Sequence, residues 1–173
     1  MMNRRFQKLA MLTMVMVVMG ADAALAGGLT ARSALPQVIA AGKQWQGDAV
    51  LVSLSSISVH ADGTADEWKY AFYSPGADKR CVITANGSNV KLMEVRLGYS
   101  TKDLGDFIDS DQAMQEAKKH GLKGNEPNMS VNYQGSGPSE ATYWIINGGY
   151  ATGDVSVFLD ARTGKFSSSV KME

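Results

Sequence analysis

The chain has 173 residues, and its 17 lysines and arginines balance its 17 aspartates and glutamates. This balance argues against nucleic-acid binding, which requires clustered basic charge. A single cysteine excludes an internal disulfide, so the stability of the fold must come from its core.

The first 26 residues have the three parts of a secretory signal peptide. A basic stretch around Arg4 precedes an apolar run from Leu9 to Met19, and Ala24-Leu25-Ala26 forms a small-residue cleavage site. The run is shorter than the roughly 20 residues that a spanning helix needs. The sequence therefore predicts cleavage before Gly27, with an uncleaved membrane anchor as the alternative.

Cleavage would leave a mature chain, 27–173, that is long enough for one ordinary domain or two very small ones. Loss of three basic residues and one acidic residue changes the formal charge from zero to about −2. No cysteine adjoins the cleavage site, so a lipoprotein is not expected. We expect a periplasmic or secreted protein with no membrane span after the signal peptide is removed.

The first half of the mature chain reads as one helix followed by four strands. The helix is predicted over Ser33–Trp45, with Ser33 as its cap and with Leu35, Val38 and Ile39 on one face. Alternating apolar residues and turn signals then predict the strands. They cover Ala49–Val59, the segment Trp68–Phe72, Arg80–Ala85 and Val90–Val95.

The second half repeats this order after a connector over 98–108. A helix begins at Ser110, capped by Asp109 or Ser110, and ends before Gly121, which suits the position after a helix end. Its modest apolar face contains Ala113, Met114 and Ala117. A turn over Gln134–Ser139 separates the first two strands. The predicted strands are Met129–Tyr133, Tyr143–Ile146, Asp154–Asp160 and Phe166–Val170.

The halves align with a shift of about 76 residues, the kind of period at which internal repeats should be considered. The shift places Trp68 on Trp144, Cys81 on Val157 and Val90 on Phe166. We therefore predict an α+β fold of two tandem helix-on-antiparallel-sheet units, 27–100 and 101–173. Each core is marginal alone, so the units would pack together or share a sheet.

The second half carries a family resemblance. An alanine-rich helix with Ala113, Ala117 and Gly121 is followed by Val157-Phe158-Leu159-Asp160-Ala161-Arg162-Thr163-Gly164-Lys165-Phe166. This combination, over residues 108–173, resembles a PepSY or PepSY-like domain, and the first half is a looser copy. The resemblance implies regulation or inhibition of peptidases, with no shared catalytic residue. Asp160 and Gly164 also have a purely structural interpretation, as hydrogen-bond acceptor and positive-φ residue of a tight turn.

No pattern indicates catalysis, so we expect neither an enzyme nor a cofactor or metal site. His60 and His120 lack the spacing of zinc ligands, and the aspartates from 103 to 111 do not match a calcium loop. Cys81, in an apolar strand, is expected to be a buried inert thiol.

Aromatic side chains are the predicted means of binding a partner. Trp68, Tyr70 and Phe72 share one face of a strand and are expected in the core, which leaves Tyr73 and Tyr143 on the opposite face. The candidate partner-binding residues are Tyr73, Tyr143, Trp144 and Tyr150. The favoured function is an exported, non-catalytic binding or regulatory protein acting on a protein or peptide, plausibly a peptidase. The alternative is a small-ligand carrier or sensor that binds in a cleft between the two units.

Overall fold

Eight strands form one antiparallel sheet, and two helices pack against one face of it. The computed structural model describes residues 28–173 except 97, 99, 125 and 136–139. The predicted signal peptide, 1–26, and most of the turn predicted at 134–139 lie outside the described residues. In chain order the elements are α1 (Leu35–Trp45), β1 (Val50–Ser56), β2 (Trp68–Ser74), β3 (Lys79–Asn86), β4 (Asn89–Val95), α2 (Ser110–Lys119), β5 (Asn128–Gln134), β6 (Ala141–Asn147), β7 (Val155–Asp160) and β8 (Phe166–Lys171).

The strands lie in the order β4-β3-β2-β1-β5-β6-β7-β8, so the two halves of the chain meet at β1 and β5. Leu54 of β1 lies opposite Val131 of β5 at this junction. The prediction of two tandem helix-on-sheet units is therefore wrong. The physical reason is that β1 is mostly buried, and an edge position would leave the backbone groups of this apolar strand unpaired.

The halves are also joined by hydrogen bonds outside the sheet. The segment before α1 contacts the start of α2: Thr30 Oγ1 donates to Asp109 Oδ2 at 2.7 Å. The amide of Arg32 donates to Asp109 Oδ1 at 2.9 Å, and the amide of Ala31 donates to Ser110 Oγ at 2.9 Å. These contacts make the first turn of α2 depend on the first half of the chain.

Two tryptophans lie at the centre of the core. Trp68 and Trp144 are fully buried and pack edge to face, with ring centroids 6.2 Å apart. Each indole N–H donates to a backbone carbonyl, that of Leu29 at 2.8 Å and that of Ile108 at 3.1 Å. Their strands, β2 and β6, flank the central pair on either side, so the residues matched by the 76-residue shift occupy corresponding places.

The first helix differs from its prediction in its cap and in its buried face. It begins at Leu35 without a side-chain cap, because Ser33 Oγ instead donates to the carbonyl of Thr30 at 2.7 Å. Ile39 is 42% exposed, and Gly42 takes its place against the core. A Cβ on Gly42 would lie 2.8 Å from the Phe72 ring, so glycine permits this close approach.

The second helix follows its local signals. Asp109 caps it, and Asp109 and Gln112 form a capping box. The predicted face of Ala113, Met114 and Ala117 is buried, and Gly121 has a φ of +90°. The sequence prediction of this helix is confirmed because each signal acts within one or two turns.

The turn between β7 and β8 is held by Asp160. Its Oδ1 accepts hydrogen bonds from the amide of Thr163 at 2.8 Å and from Thr163 Oγ1 at 2.6 Å. These bonds, the hydroxyl bond foremost, lower the pKa of Asp160. Gly164 has a φ of +72°. The structural interpretation of this turn is confirmed.

Candidate partner-binding face

The sheet face opposite the helices, here called the open face, is defined by the strand register. The buried residues of both helices belong to the same cluster as Trp68 and Trp144, on the other face. Side chains alternate between faces along a strand. One row of the open face therefore runs across β2, β1, β5, β6 and β7 through Lys69, Ser55, Ser130, Ile145 and Phe158.

An apolar patch covers the β6–β8 side of the open face. Ile145 lies directly opposite Phe158, and Tyr143 lies two residues before Ile145 on β6. All three side chains are half-buried, and Val170 of β8 is 52% exposed. These four residues, called the open-face patch below, lie on three neighbouring strands of this face.

The centre of the open face carries small polar side chains. Ser53 Oγ donates to Asn132 Oδ1 at 2.6 Å, and Asn132 Nδ2 donates to Ser130 Oγ at 2.9 Å. These bonds hold the side chains in place, and a hydroxyl or side-chain amide has further donor and acceptor positions beyond them. These small side chains form a low polar surface beside the open-face patch. It consists of Ser53, Ser130 and Asn132 and is called the polar floor below.

Tyr73 lies at the other side of the open face, beside a small second core. Its ring packs with Val52, Ala71 and Val82, and the Arg80 guanidinium carbon is 4.7 Å from the ring centre. The Tyr73 hydroxyl donates to Asp78 Oδ1 at 3.2 Å. Desolvation, followed by this hydrogen bond, raises the pKa of the hydroxyl.

The four predicted partner-binding residues do not all lie on one surface of the structure. Tyr73 and Tyr143 lie on the open face as expected. Tyr150 is 75% exposed, and its hydroxyl accepts a hydrogen bond from Asn128, which lies two residues before Ser130 on β5. Trp144 is fully buried, so the prediction that it is a surface anchor is wrong.

Sequence reasoning did not find Ile145 and Phe158 as members of the face. A signal was present, because β6 reads Tyr-Trp-Ile-Ile and is apolar in both phases of the strand period. Phe158 is likewise out of phase with the buried Val157 and Leu159. An antiparallel strand that is apolar on both sides indicates that its second face is also used.

The two histidines and the cysteine make contacts that stabilise the fold. His60 Nδ1 is 3.2 Å from Thr64 Oγ1, whereas His120 stacks on Phe166 with ring centroids 3.8 Å apart. Burial raises the pKa of Cys81, which is fully buried, to about 12, as expected for an inert thiol. Within the described residues, no group of three or more His, Cys, Asp or Glu is placed to hold a metal ion.

The aspartates of the connector form hydrogen bonds and ion pairs that stabilise the fold. Asp103 Oδ1 accepts from the amide of Gly105 at 3.0 Å, and Asp106 pairs with Arg32 at 3.2 Å. Asp109 caps α2, and Asp111 lies in its first turn. The interpretation of these residues as a connector and a helix start therefore accounts for them.

Comparison with known proteins supports the fold alone. No protein-family model matches the chain, and no curated protein sequence matches it. The chain resembles the crystal structure of a "putative lipoprotein" from Clostridium difficile 630, with a TM-score of 0.53 and 16% identity over 79% of this chain and 91% of that chain. In the described part of the chain, neither helix has the length and apolar character needed to cross a membrane.

Proposed function

We propose that the mature chain is an exported, non-catalytic binding or regulatory protein whose open face binds a protein or peptide partner. The observation that supports this proposal is the open-face patch. Tyr143, Ile145 and Phe158 lie side by side on a sheet face that neither helix covers.

The composition of the open face supports its proposed role in recognition. Aromatic side chains are enriched in protein interfaces, and a few buried anchors, tyrosine among them, contribute most of the binding energy. The polar floor around Ser130 and Asn132 supplies hydrogen-bonding groups beside them, as interfaces commonly do. A protein or peptide segment would bury Phe158 and Ile145 while its polar groups contact this floor.

Peptidase regulation and location outside the cytoplasm are parts of the same proposal. The resemblance of the α2 helix and the Asp160–Gly164 turn to PepSY-like domains favours a peptidase as the partner. The three-part leader favours export to the periplasm or the exterior. A captured partner with peptidase activity would then be assayed with and without the purified chain.

The test compares variants of mature 27–173 as baits in an envelope extract of the source cell. Tyr143→Ser with Phe158→Ser removes two side chains of the open-face patch. The matched control is Ile39→Ser, which removes an exposed apolar side chain from α1, on the other side of the sheet. We expect the wild type and the control to retain the same protein and the double variant to lose it. Equal recovery by all three folded baits would contradict the proposal.

The ligand-carrier alternative remains a prediction. Drug-sized ligands occupy pockets of about 300–1,000 Å³. The pocket at the end of β1, with a volume of about 110 Å³, is smaller than this range and is not the cleft that the alternative requires.

A further inference from the structure

We infer that the pocket between the end of β1 and the start of β2 receives a lysine or arginine side chain of the partner. This inference rests on the proposed function and assigns a second subsite to the same surface. The pocket is lined by residues 55–58 together with Asp66, Glu67 and Lys69.

The size of the pocket fits one long side chain. Its volume is about 110 Å³. A water molecule needs on the order of 10–15 Å³ by the same kind of measure, so the space corresponds to about eight waters. It is open to solvent, so an extended side chain could enter without a change in the fold.

The charges around the pocket select a cation. The Asp66 and Glu67 side chains are 84% and 45% exposed. A third carboxylate, that of Glu126, lies 3.3 Å from Ser58 Oγ. Lys69 is the one lysine in the lining, and its Nζ is 3.5 Å from Glu67 Oε1. The lining therefore carries two carboxylates and one ammonium, with Glu126 beside it and His60 Nε2 3.9 Å from Asp66 Oδ1. The carboxylates outnumber the one lysine, which favours a cation over an anion in the pocket.

Ile57 explains why the cation should belong to a long side chain. It is 76% exposed, the highest exposure among the large hydrophobic residues of the described chain, and it lines the same pocket. Lysine and arginine pack their alkyl stems against apolar surface while their charged ends stay among polar groups. An acidic side chain would instead meet Asp66 and Glu67 and be repelled.

The pocket is continuous with the open face. Ser55 and Lys69 belong to the row that reaches Ile145. Ser55 and Ile145 are two strands apart, which is roughly 10 Å at the usual strand spacing. A partner bound on the open-face patch could therefore place a basic side chain in the pocket.

The test is a ¹H–¹⁵N NMR titration of mature 27–173 with N-acetyl-argininamide at low salt. N-acetyl-norleucinamide is the uncharged control and N-acetyl-glutamic acid amide the acidic one. We expect saturable chemical-shift changes at the amides of residues 55–58 and 66–69 with the arginine probe alone. The Kd should be millimolar and should rise as the salt concentration increases.

Two variants test the charge argument in opposite directions. Asp66→Asn with Glu67→Gln should weaken the binding of the arginine probe about 3- to 5-fold or more. Lys69→Met should strengthen that binding about 2- to 5-fold, since the substitution removes the competing ammonium. Folding of each variant is checked by the dispersion of its spectrum. Equal binding of the norleucine probe, absence of saturable shifts, or weaker binding by Lys69→Met would overturn the inference.

The two proposals fail separately. If the Asp66/Glu67 variant does not bind the arginine probe more weakly, but the Tyr143/Phe158 variant still loses the envelope partner, the basic subsite is wrong and the open-face proposal stands. If the open-face variant keeps its partner while the arginine probe titrates the pocket, the open-face proposal is wrong. The pocket is then still a site for a basic side chain.

Discussion

Asp109→Ala should destabilise the whole protein, because this side chain joins the two halves as well as capping α2. Its carboxylate caps the helix and also accepts hydrogen bonds from Thr30 Oγ1 and the amide of Arg32. Asp111, two residues later, is in the first turn of the same helix, and its Oδ1 accepts a hydrogen bond from the amide of Gln112 at 2.7 Å, within the helix.

The expected cost follows from these contacts. Loss of an aspartate cap costs about 1 kcal/mol. The two further hydrogen bonds to this carboxylate add about 1 kcal/mol each. This is less than a hydrogen bond to a charged group usually contributes, because the site is partly exposed. We therefore expect the free energy of unfolding to fall by about 2–4 kcal/mol. Asp111→Ala should cost only about 0.5–1 kcal/mol, through the helix dipole and one exposed hydrogen bond within the helix.

Urea unfolding at pH 7, followed by tryptophan fluorescence and far-UV circular dichroism, measures both variants. A double-mutant cycle of Thr30→Ala with Asp109→Ala should give a coupling of about 1 kcal/mol. The two signals should report one coincident transition, since the sheet is continuous. The reasoning would be refuted by an Asp109→Ala cost no larger than that of Asp111→Ala, or by zero coupling.

Three further predictions follow from burial and backbone geometry. Trp144→Ala should lower the free energy of unfolding by about 3–5 kcal/mol in the same urea assay, as for a core tryptophan; a cost below about 1 kcal/mol would contradict its burial. Cys81, with a pKa of about 12, should react with a thiol reagent at pH 8 only after unfolding, because roughly one thiol in 10⁴ is ionised there; rapid native labelling would disagree. Gly164→Ala should cost more than Gly87→Ala in thermal unfolding, since both have positive φ but only at Gly164 would a Cβ meet a side chain, Ile108 Cδ1 at 2.8 Å.

Local signals explain what the sequence predicted well. The α2 cap at Asp109, its end at Gly121 and the turn from Asp160 to Gly164 each depend on residues within a few positions of one another. The hydrogen bonds that hold them are fixed by short-range geometry. Such elements can be predicted from one sequence because no distant partner is needed.

Long-range pairing explains the errors. The four strands of each half were placed in separate units because nothing local shows that β1 pairs with β5. The predicted cap at Ser33 failed because Ser33 Oγ bonds to Thr30 instead, while Thr30 itself bonds to Asp109 across the chain. The Ser33 contact is local, but the contact of Thr30 joins residues 79 positions apart and could be found only after the fold was known.

The error at Trp144 shows which side chains of β6 lie on the open face. In β6 both phases are apolar, so the sequence cannot show whether Tyr143 and Ile145 or Trp144 and Ile146 face the core. The core takes the second pair, through the packing of Trp144 against Trp68, and the first pair is left on the open face. The sheet is continuous, and its two halves are also joined through Asp109, so Tyr143 and Ile145 lie on one connected framework. Under the proposed function, such a face would lose less conformational entropy on binding than a face divided between two jointed units.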